Sequence, residues 1–370
     1  MNILFAGGGT GGPVAPVLAV AQNLKSQHPK ARLLFVGTRR GPEQRMAEAA
    51  GLEFTSIVSG KLRRYFSWKN LLTPFALLFG FVQALLLLKR KKIDCIFSAG
   101  GYVQVPLVWA GWLLGIPSII HQQDVLPSLA NTLCQFPAKK ITVTFEATAK
   151  HFLSGVGFFY RRPGADKIQV TGNPVRPNLA SADKAEALKY FGLASDLPVL
   201  YVMGGGTGSA FLNRLIQEAW PKLKKTVQVV HSAGPRGRGR EGLKDQAHYR
   251  VFDFIDRVDL AYAAADIVLC RAGLSTISEL SLLSKLAIVV PMPDTHQELN
   301  GYYLDRTQAA LVLPQEHLSA DALAYVVRKL LFKYDMQKSM QKNIYKIMPH
   351  DAAEKIAGEV ALLAEKHHAK

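Results

Sequence analysis

The chain has 370 residues, with 45 Lys and Arg against 28 Asp and Glu, a net charge of +17 and 49% hydrophobic residues. That length suits two domains, the apolar content excludes intrinsic disorder, and the scarcity of long apolar runs excludes a polytopic membrane protein. The excess charge points to an anionic partner, and it is uneven: residues 1–177 hold 21 cations and 7 acids, a net +14, whereas residues 178–370 carry +3.

Residues 3–6 are an apolar run followed by Gly7-Gly8-Gly9-Thr10-Gly11-Gly12 and a helix-periodic stretch to Leu24. No basic segment precedes this run, so no signal peptide is read. Strand-like runs follow at 32–36, 93–98 and 118–121. The pattern then restarts: residues 199–203, a second loop Gly204-Gly205-Gly206-Thr207-Gly208-Ser209, a helical stretch to Trp220, and runs at 227–231, 267–270 and 287–290. Such alternation predicts parallel sheets with helices on both faces, and hence two Rossmann-like domains in tandem. The prolines and glycine of 172–178 suit a hinge, giving expected domains 1–176 and 177–345, with 346–370 a helix packing back on the first. Cys95, Cys134 and Cys270 are an odd number without close pairing, which supports neither a disulfide framework nor a zinc site and fits a reducing, cytoplasmic setting.

Residues 71–88 break the alternation. They carry no charge and are apolar nearly all round, with Lys61, Arg63, Arg64 and Lys69 before them and Lys89, Arg90, Lys91 and Lys92 after. Thr73-Pro74 reads as an N-cap with proline at the first helical position. From residue 74 to 88 a helix spans about 22 Å, short of the roughly 30 Å hydrocarbon core. Two readings stand: a helix buried between the sheet and its neighbours, and a helix with one face on the sheet and the other in a bilayer interface. The flanking cations and the aromatic residues Tyr65, Phe66 and Trp68 favour the second, with Leu77, Leu78 and Phe81 as its lipid-facing residues.

The first glycine loop sets Gly7, Gly9 and Gly12 in G-x-G-x-x-G spacing, which lets a diphosphate approach backbone N–H groups at a helix start. A dinucleotide site would place an acid at the end of the second strand. Here that strand ends Val36-Gly37-Thr38-Arg39-Arg40, which disfavours NAD and leaves NADP a rival through the arginine pair. A better nucleotide signal is Cys270-Arg271-Ala272-Gly273-Leu274-Ser275-Thr276-Ile277-Ser278-Glu279. A strand ends, glycine turns the chain, and a helix opens with hydroxyl residues whose N–H groups can receive phosphate. Glu279, one turn in, is placed to accept hydrogen bonds from a ribose diol; an ordinary capping arrangement is the alternative for the serine and threonine.

Taken together, residues 7–12, Ser98-Ala99-Gly100-Gly101-Tyr102, His121-Gln122-Gln123-Asp124, Gly172-Asn173-Pro174-Val175-Arg176, Phe254-Ile255-Asp256, Ala261-Tyr262-Ala263-Ala264-Ala265-Asp266 and the 270–279 turn resemble the MurG family. These are the N-acetylglucosaminyltransferases that convert lipid I to lipid II in peptidoglycan synthesis. The resemblance implies an α/β GT-B fold of the family 28 type, two Rossmann-like domains with an interdomain cleft. It implies UDP-N-acetylglucosamine held mainly by the C-terminal domain. The N-terminal domain would take the lipid-linked muramoyl-pentapeptide acceptor as a peripheral protein on an anionic membrane surface, at the cytoplasmic face of the plasma membrane. Other proteins of cell-wall synthesis are the implied protein partners; no cofactor and no nucleic acid are expected.

By the same resemblance, the uracil is read near Phe254 and Ile255 and the ribose by Glu279. The diphosphate meets Ser275 and Thr276 within the turn from Arg271 through Leu274 to Ile277 and Ser278, the loop at Gly206 and Thr207, and Arg176. Gln297, with His296 beside it, contacts the sugar hydroxyls, and Thr10, Gly11 and Gly12 approach the donor and acceptor phosphates. The chain departs from the family pattern at Pro13, usually histidine, at Gln122 and Asp124 in a usual His-Glu-Gln-Asn motif, at Gly206, often serine, and at Leu274, usually alanine.

The implied reaction is an inverting displacement by the acceptor C4 hydroxyl, which needs a base near that hydroxyl and positive potential near the departing diphosphate. Asp124 is the first candidate base and His121 the second. The alternatives are a loop-capping carboxylate for Asp124 and a histidine satisfied at a strand end for His121. No Asp-x-Asp occurs, so no metal-bridged diphosphate is indicated. The rival functions are a transferase for another UDP-sugar or lipid acceptor and a non-catalytic, membrane-surface UDP-sugar-binding protein.

Overall fold

The structure, a computed structural model, describes residues 1–8, 11–39, 41, 43–60, 73–154, 163–176, 178–234, 239 and 241–369. The chain divides into two compact units, Met1–Arg176 with Met348–Lys370, and Pro177–Ile347.

In the first unit the elements run β1 (Asn2–Ala6), α1 (Gly11–Gln27), β2 (Arg32–Gly37), α2 (Glu43–Ala49), β3 (Glu53–Ser56), α3 (Thr73–Arg90), β4 (Cys95–Ser98), α4 (Gln104–Leu113), β5 (Ser118–Gln122), α5 (Leu129–Cys134), β6 (Lys140–Val143), α6 (Glu146–Ser154) and β7 (Ile168–Val170). Among the described residues the strands form one parallel seven-stranded sheet in the order β3-β2-β1-β4-β5-β6-β7. The central strands are apolar on both faces because helices cover both; Ile3, Leu4, Phe5, Ile96, Phe97, Ile119 and Ile120 are all fully buried.

The second unit runs α7 (Lys184–Phe191), β8 (Val199–Met203), α8 (Ala210–Leu223), β9 (Gln228–Ser232), β10 (Tyr249–Phe252), α9 (Val258–Ala264), β11 (Ile267–Cys270), α10 (Leu274–Leu282), β12 (Ala287–Val289), α11 (Gln297–Arg306), β13 (Leu311–Val312), α12 (Ala320–Phe332) and α13 (Tyr334–Lys346). Its parallel sheet has the order β10-β9-β8-β11-β12-β13. Counted from each unit's first strand, the two orders agree over six strands, the first sheet adding β7 at its edge, so the repeated strand, glycine loop and helix of the sequence become two Rossmann-like sheets. Each order reverses beside its first strand, at β1/β4 and at β8/β11, and such switch points are where open α/β sheets bind ligands at their carboxyl ends.

The last helix, α14 (Ala352–His368), returns to the first unit. Its residues Ile356, Ala357, Val360, Ala361 and Ala364 repeat at helical spacing and pack with Val14, Val17, Leu18, Ala21 and Leu24 of α1. Polar contacts tie it further: Glu359 pairs with Lys140, and His368 Nδ1 lies 3.2 Å from Asp94 Oδ1. The chain leaves and re-enters this unit at one place: Gly172 has φ +78°, and a side chain there would overlap the carbonyl of Pro349. Cys95, Cys134 and Cys270 are buried free thiols; burial pushes Cys95 and Cys270 up to about 12.

Helix α3 has two unlike faces. Gly80, Ala84 and Leu88 turn inward, and a side chain at Gly80 would overlap the carbonyl of Val58. Gln83 Oε1 also accepts from Val58 N at 2.8 Å. Phe75, Leu78, Phe79, Val82 and Leu86 face outward, Phe75 with 73% of its surface exposed. Among the predicted lipid-facing residues only Leu78 lies on that outer face. Leu77 and Phe81 are half-buried, and Phe81 packs on the core of the sheet, which corrects their assignment. Lys89, Arg90 and Lys92 are exposed, and Lys91 pairs with Glu53. Tyr65, Phe66 and Trp68 lie outside the described residues. No helix among the described residues is long and apolar enough to cross a membrane.

Candidate active site

In the second unit the predicted donor residues gather on the loops that follow β8, β10, β11 and β12. Helix α10 starts after the extended residue Gly273 with no side-chain cap. Ile277 N bonds Gly273 O at 3.0 Å, so the first-turn N–H groups without a helical partner are those of Leu274, Ser275 and Thr276. The side chains of Ser275 and Thr276 are half-buried at this end. Leu274, Ile277 and Ser278 turn inward, and Ser278 Oγ donates to Leu274 O at 2.7 Å. Their side chains therefore offer nothing to a ligand, and the bulk of Leu274 relative to alanine goes into the core.

Arg271 corrects a sequence-based expectation. Its Nε donates to Ser209 Oγ at 3.2 Å, its Nη1 to Val290 O and Pro291 O at 3.1 and 3.0 Å, and its Nη2 to Ser209 Oγ and Gln315 Oε1 at 3.0 and 2.7 Å. A guanidinium has five N–H donors, and protein oxygens take all of them. The side chain is 7% exposed and lies over the Phe211 ring. Arg271 is thus a clamp that ties the start of α8, the end of β12 and Gln315 together rather than a phosphate ligand.

The neighbouring turns are fixed the same way. Asn300 Nδ2 donates to Ala272 O at 3.0 Å, and Met292 N donates to Gln297 Oε1 at 3.1 Å. Glu279 is nearly buried and accepts from the Tyr262 hydroxyl at 2.8 Å. Phe254 is exposed beside buried Ile255, His296 is exposed, and Gly206 and Thr207 are exposed on the second glycine loop. A side chain at Gly208 would overlap Ala233 O, whereas one at Gly206 would meet nothing. Gly206 therefore removes a side chain from the loop without relieving a clash.

In the first unit the loops after β1, β4 and β5 carry the remaining residues. Gly12 is exposed and Pro13 stands in the first turn of α1, where no backbone donor is needed. Gly101 (φ +88°) lies so close to the first loop that a side chain would meet Gly8 O at 2.7 Å. Thr10 lies outside the described residues, and Arg176 is exposed at the end of the unit.

His121 is fully buried on β5. Its Nε2 is 3.1 Å from Asn173 Oδ1 and its Nδ1 is 3.0 Å from Thr142 Oγ1. The amide oxygen only accepts, so Nε2 carries the proton and Nδ1 accepts from the threonine. Burial pushes its pKa down to about 4, against a smaller upward effect of the Asn173 bond. His121 is therefore a neutral strand-end histidine that holds the 172–176 segment, and its candidacy as a base falls.

Gln122, also buried, organises the loop that follows. Its Nε2 donates to Asp124 O at 3.1 Å and Leu126 O at 2.8 Å, while its Oε1 accepts from Ser128 N at 3.0 Å and Asn131 Nδ2 at 2.6 Å. Asn131 bonds His121 O and receives Gln104 Nε2, and Gln123 Nε2 donates to Ala99 O at 2.9 Å. Asp124 emerges half-exposed from this framework. Gln104, Asn131, Thr142, Asn300 and Gln315 carry no signal in the sequence, since each is one polar residue whose partner lies on another element. Among the described residues no group of three His, Cys, Asp or Glu is placed to hold a metal ion.

Two Rossmann-like sheets with ligand-ready helix starts at their carboxyl ends define a GT-B type of nucleotide-sugar enzyme. Residues 3–143 match the glycosyltransferase family 28 N-terminal domain and residues 199–356 its C-terminal domain. The chain belongs to glycosyltransferase family 28, in its MurG branch. It is 34% identical to the UDP-N-acetylglucosamine–N-acetylmuramyl-(pentapeptide) pyrophosphoryl-undecaprenol N-acetylglucosamine transferase of Legionella pneumophila, over 99% of this chain and 97% of the relative. It is also 34% identical to one from Bacillus cereus, over 92% and 94%. The fold is that of Acinetobacter baumannii MurG (TM-score 0.72, 23% identity, 98% and 99% covered) and of the Neisseria meningitidis UDP-GlcNAc 2-epimerase bound to UDP-GlcNAc (0.66, 13%, 98% and 100%).

Proposed function

We infer that this protein transfers N-acetylglucosamine from UDP-N-acetylglucosamine to the C4 hydroxyl of the undecaprenyl-diphospho-muramoyl-pentapeptide, giving lipid II. The observation that carries this reading is the 34% identity to the Legionella transferase across 99% of the chain. The donor is assigned to the second unit, with Phe254 and Ile255 at the uracil and Glu279 at the ribose. Gln297 and His296 serve the sugar, and Gly206, Thr207 and the start of α10 serve the diphosphate. Helix N–H groups there supply the positive potential that a departing diphosphate needs.

The acceptor and the base are assigned to the first unit. Asp124 takes the proton of the C4 hydroxyl as its oxygen bonds the anomeric carbon. The bond from that carbon to the phosphate oxygen breaks, UDP leaves with the electron pair, and the configuration inverts. The test is UDP release by the purified protein from UDP-N-acetylglucosamine and a lipid I analogue. Donor binding without turnover would leave a nucleotide-sugar-binding protein, and turnover only with another sugar or lipid would leave a different transferase.

We assign the outer face of α3 to the cytoplasmic membrane surface, with the protein peripheral there. The apolar stripe from Phe75 to Leu86 runs into exposed Lys89, Arg90 and Lys92, and Trp112 and Leu113 of α4, which packs on α3, are also exposed. Each cation near an anionic surface contributes about 1 kcal/mol. Binding to phosphatidylglycerol vesicles is therefore expected to weaken as salt rises and to fall about fivefold for each of Lys89→Gln, Arg90→Gln and Lys92→Gln. Insensitivity to both salt and substitution would remove the assignment.

A further inference from the structure

We propose that Tyr262 is a positioning residue that sets Glu279 for the ribose, and that it thereby makes the donor site select ribonucleotide over 2′-deoxyribonucleotide sugars. The inference rests on the reading of Glu279 as the ribose acceptor.

Tyr262 lies on α9, fully buried, in a motif the reaction leaves without a role. Its hydroxyl donates to Glu279 Oε2 at 2.8 Å and lies 3.4 Å from the sulfur of Met203, the last residue of β8 before the second glycine loop. The ring stands edge-on to Tyr201, with centroids 5.5 Å apart and planes at 87°. Packing thus fixes the ring, the ring fixes the hydroxyl, and the hydroxyl fixes one carboxylate oxygen. Burial, and then the charge of Glu279, hold the phenol well above its ordinary range, so it stays a donor throughout the working pH.

A carboxylate has about four acceptor sites on two oxygens. The phenol holds Oε2 in place, and the carboxylate so fixed keeps acceptor sites for the hydroxyls of a ribose diol. A donor sugar lacking the 2′-hydroxyl leaves one of these buried acceptors unmet, and sites of that kind reject the deficient analogue strongly. Without the phenol Oε2 loses the donor that fixes it, and the distinction weakens.

The experiment compares KM and kcat for UDP-N-acetylglucosamine and its 2′-deoxy analogue in the wild type, Tyr262→Phe, Glu279→Gln and the double variant. In Tyr262→Phe we expect KM for the ribonucleotide donor to rise about tenfold or more, kcat to stay within about twofold, and KM for the deoxy donor to change little, so that discrimination collapses. In the Glu279→Gln background, Tyr262→Phe should add nothing to the ratio. That double variant also removes the buried charge which the single substitution leaves without its donor, so it reports even if the single variant folds poorly. Equal KM increases for both donors in Tyr262→Phe, or a further loss in the double variant, would overturn the proposal. A wild type that does not discriminate would instead show that Glu279 does not read the ribose, and the proposal would fall with that reading.

Discussion

Replacing Asp124 by Asn is expected to lower kcat about 10²- to 10⁴-fold, the range of a positioned general base, while the dissociation constant for UDP-N-acetylglucosamine changes by less than about twofold. The substitution keeps the size of the side chain, and the framework also holds that residue by its backbone. Gln122 Nε2 and Thr148 Oγ1 both donate to Asp124 O, at 3.1 and 3.4 Å. What is lost is the ability to take a proton. His121 cannot stand in for it, with no exposed surface, both ring nitrogens engaged, and a pKa pushed down to about 4. Single-turnover kinetics beside equilibrium donor binding make the check. Unchanged turnover would place the base elsewhere in the first unit, and a parallel loss of donor affinity would make Asp124 a binding group instead.

The central strands of both sheets were legible because a strand buried on both faces must be a continuous apolar run, and 3–6, 32–36, 199–203 and 267–270 are such runs. The runs read from the sequence leave out Glu53–Ser56, Lys140–Val143, Ile168–Val170, Tyr249–Phe252 and Leu311–Val312. Lys140–Val143 is a short interior strand that opens on a lysine, and the other four are edge strands of two to four residues with mostly half-buried, mixed side chains, so neither length nor period marks them. The α3 segment was legible as a helix but not in the orientation of its faces, since a helix apolar all round has no periodic stripe to read.

Within the candidate site, residue type was a poor guide to whether a side chain faces a ligand or the protein. An arginine beside a glycine turn reads as a phosphate ligand, yet Arg271 meets Ser209, Val290, Pro291 and Gln315, partners 19 to 62 positions away in sequence. His121 meets Asn173 over 52 positions. Only the fold brings these groups together, and no local pattern encodes them.

Replacing Gln122 by Glu is expected to destabilise the first unit by about 2–4 kcal/mol at neutral pH, and to do so more strongly as pH rises. The amide donates to two carbonyls, Asp124 O and Leu126 O, while its oxygen takes two donors. A carboxylate can serve the second pair but faces the first with negative charge. Burial and those carbonyls both disfavour ionisation, so the introduced carboxyl titrates above its unfolded value of roughly 4.3 in the folded protein. Stability should then be nearest the wild type below that unfolded value, where the protonated group still donates once. It is lost as pH climbs through the higher folded value, because the folded state binds the extra proton. Urea midpoints of variant and wild type at pH 5 and pH 8 make the comparison, and a gap of equal size at both would show that the introduced carboxyl does not titrate between them. Turnover should fall in step with pH, since Asp124 sits on the loop that these bonds hold. The same physics accounts for the motif: with an amide at the buried position, the carboxylate belongs two residues later, at Asp124, where the chain emerges half-exposed.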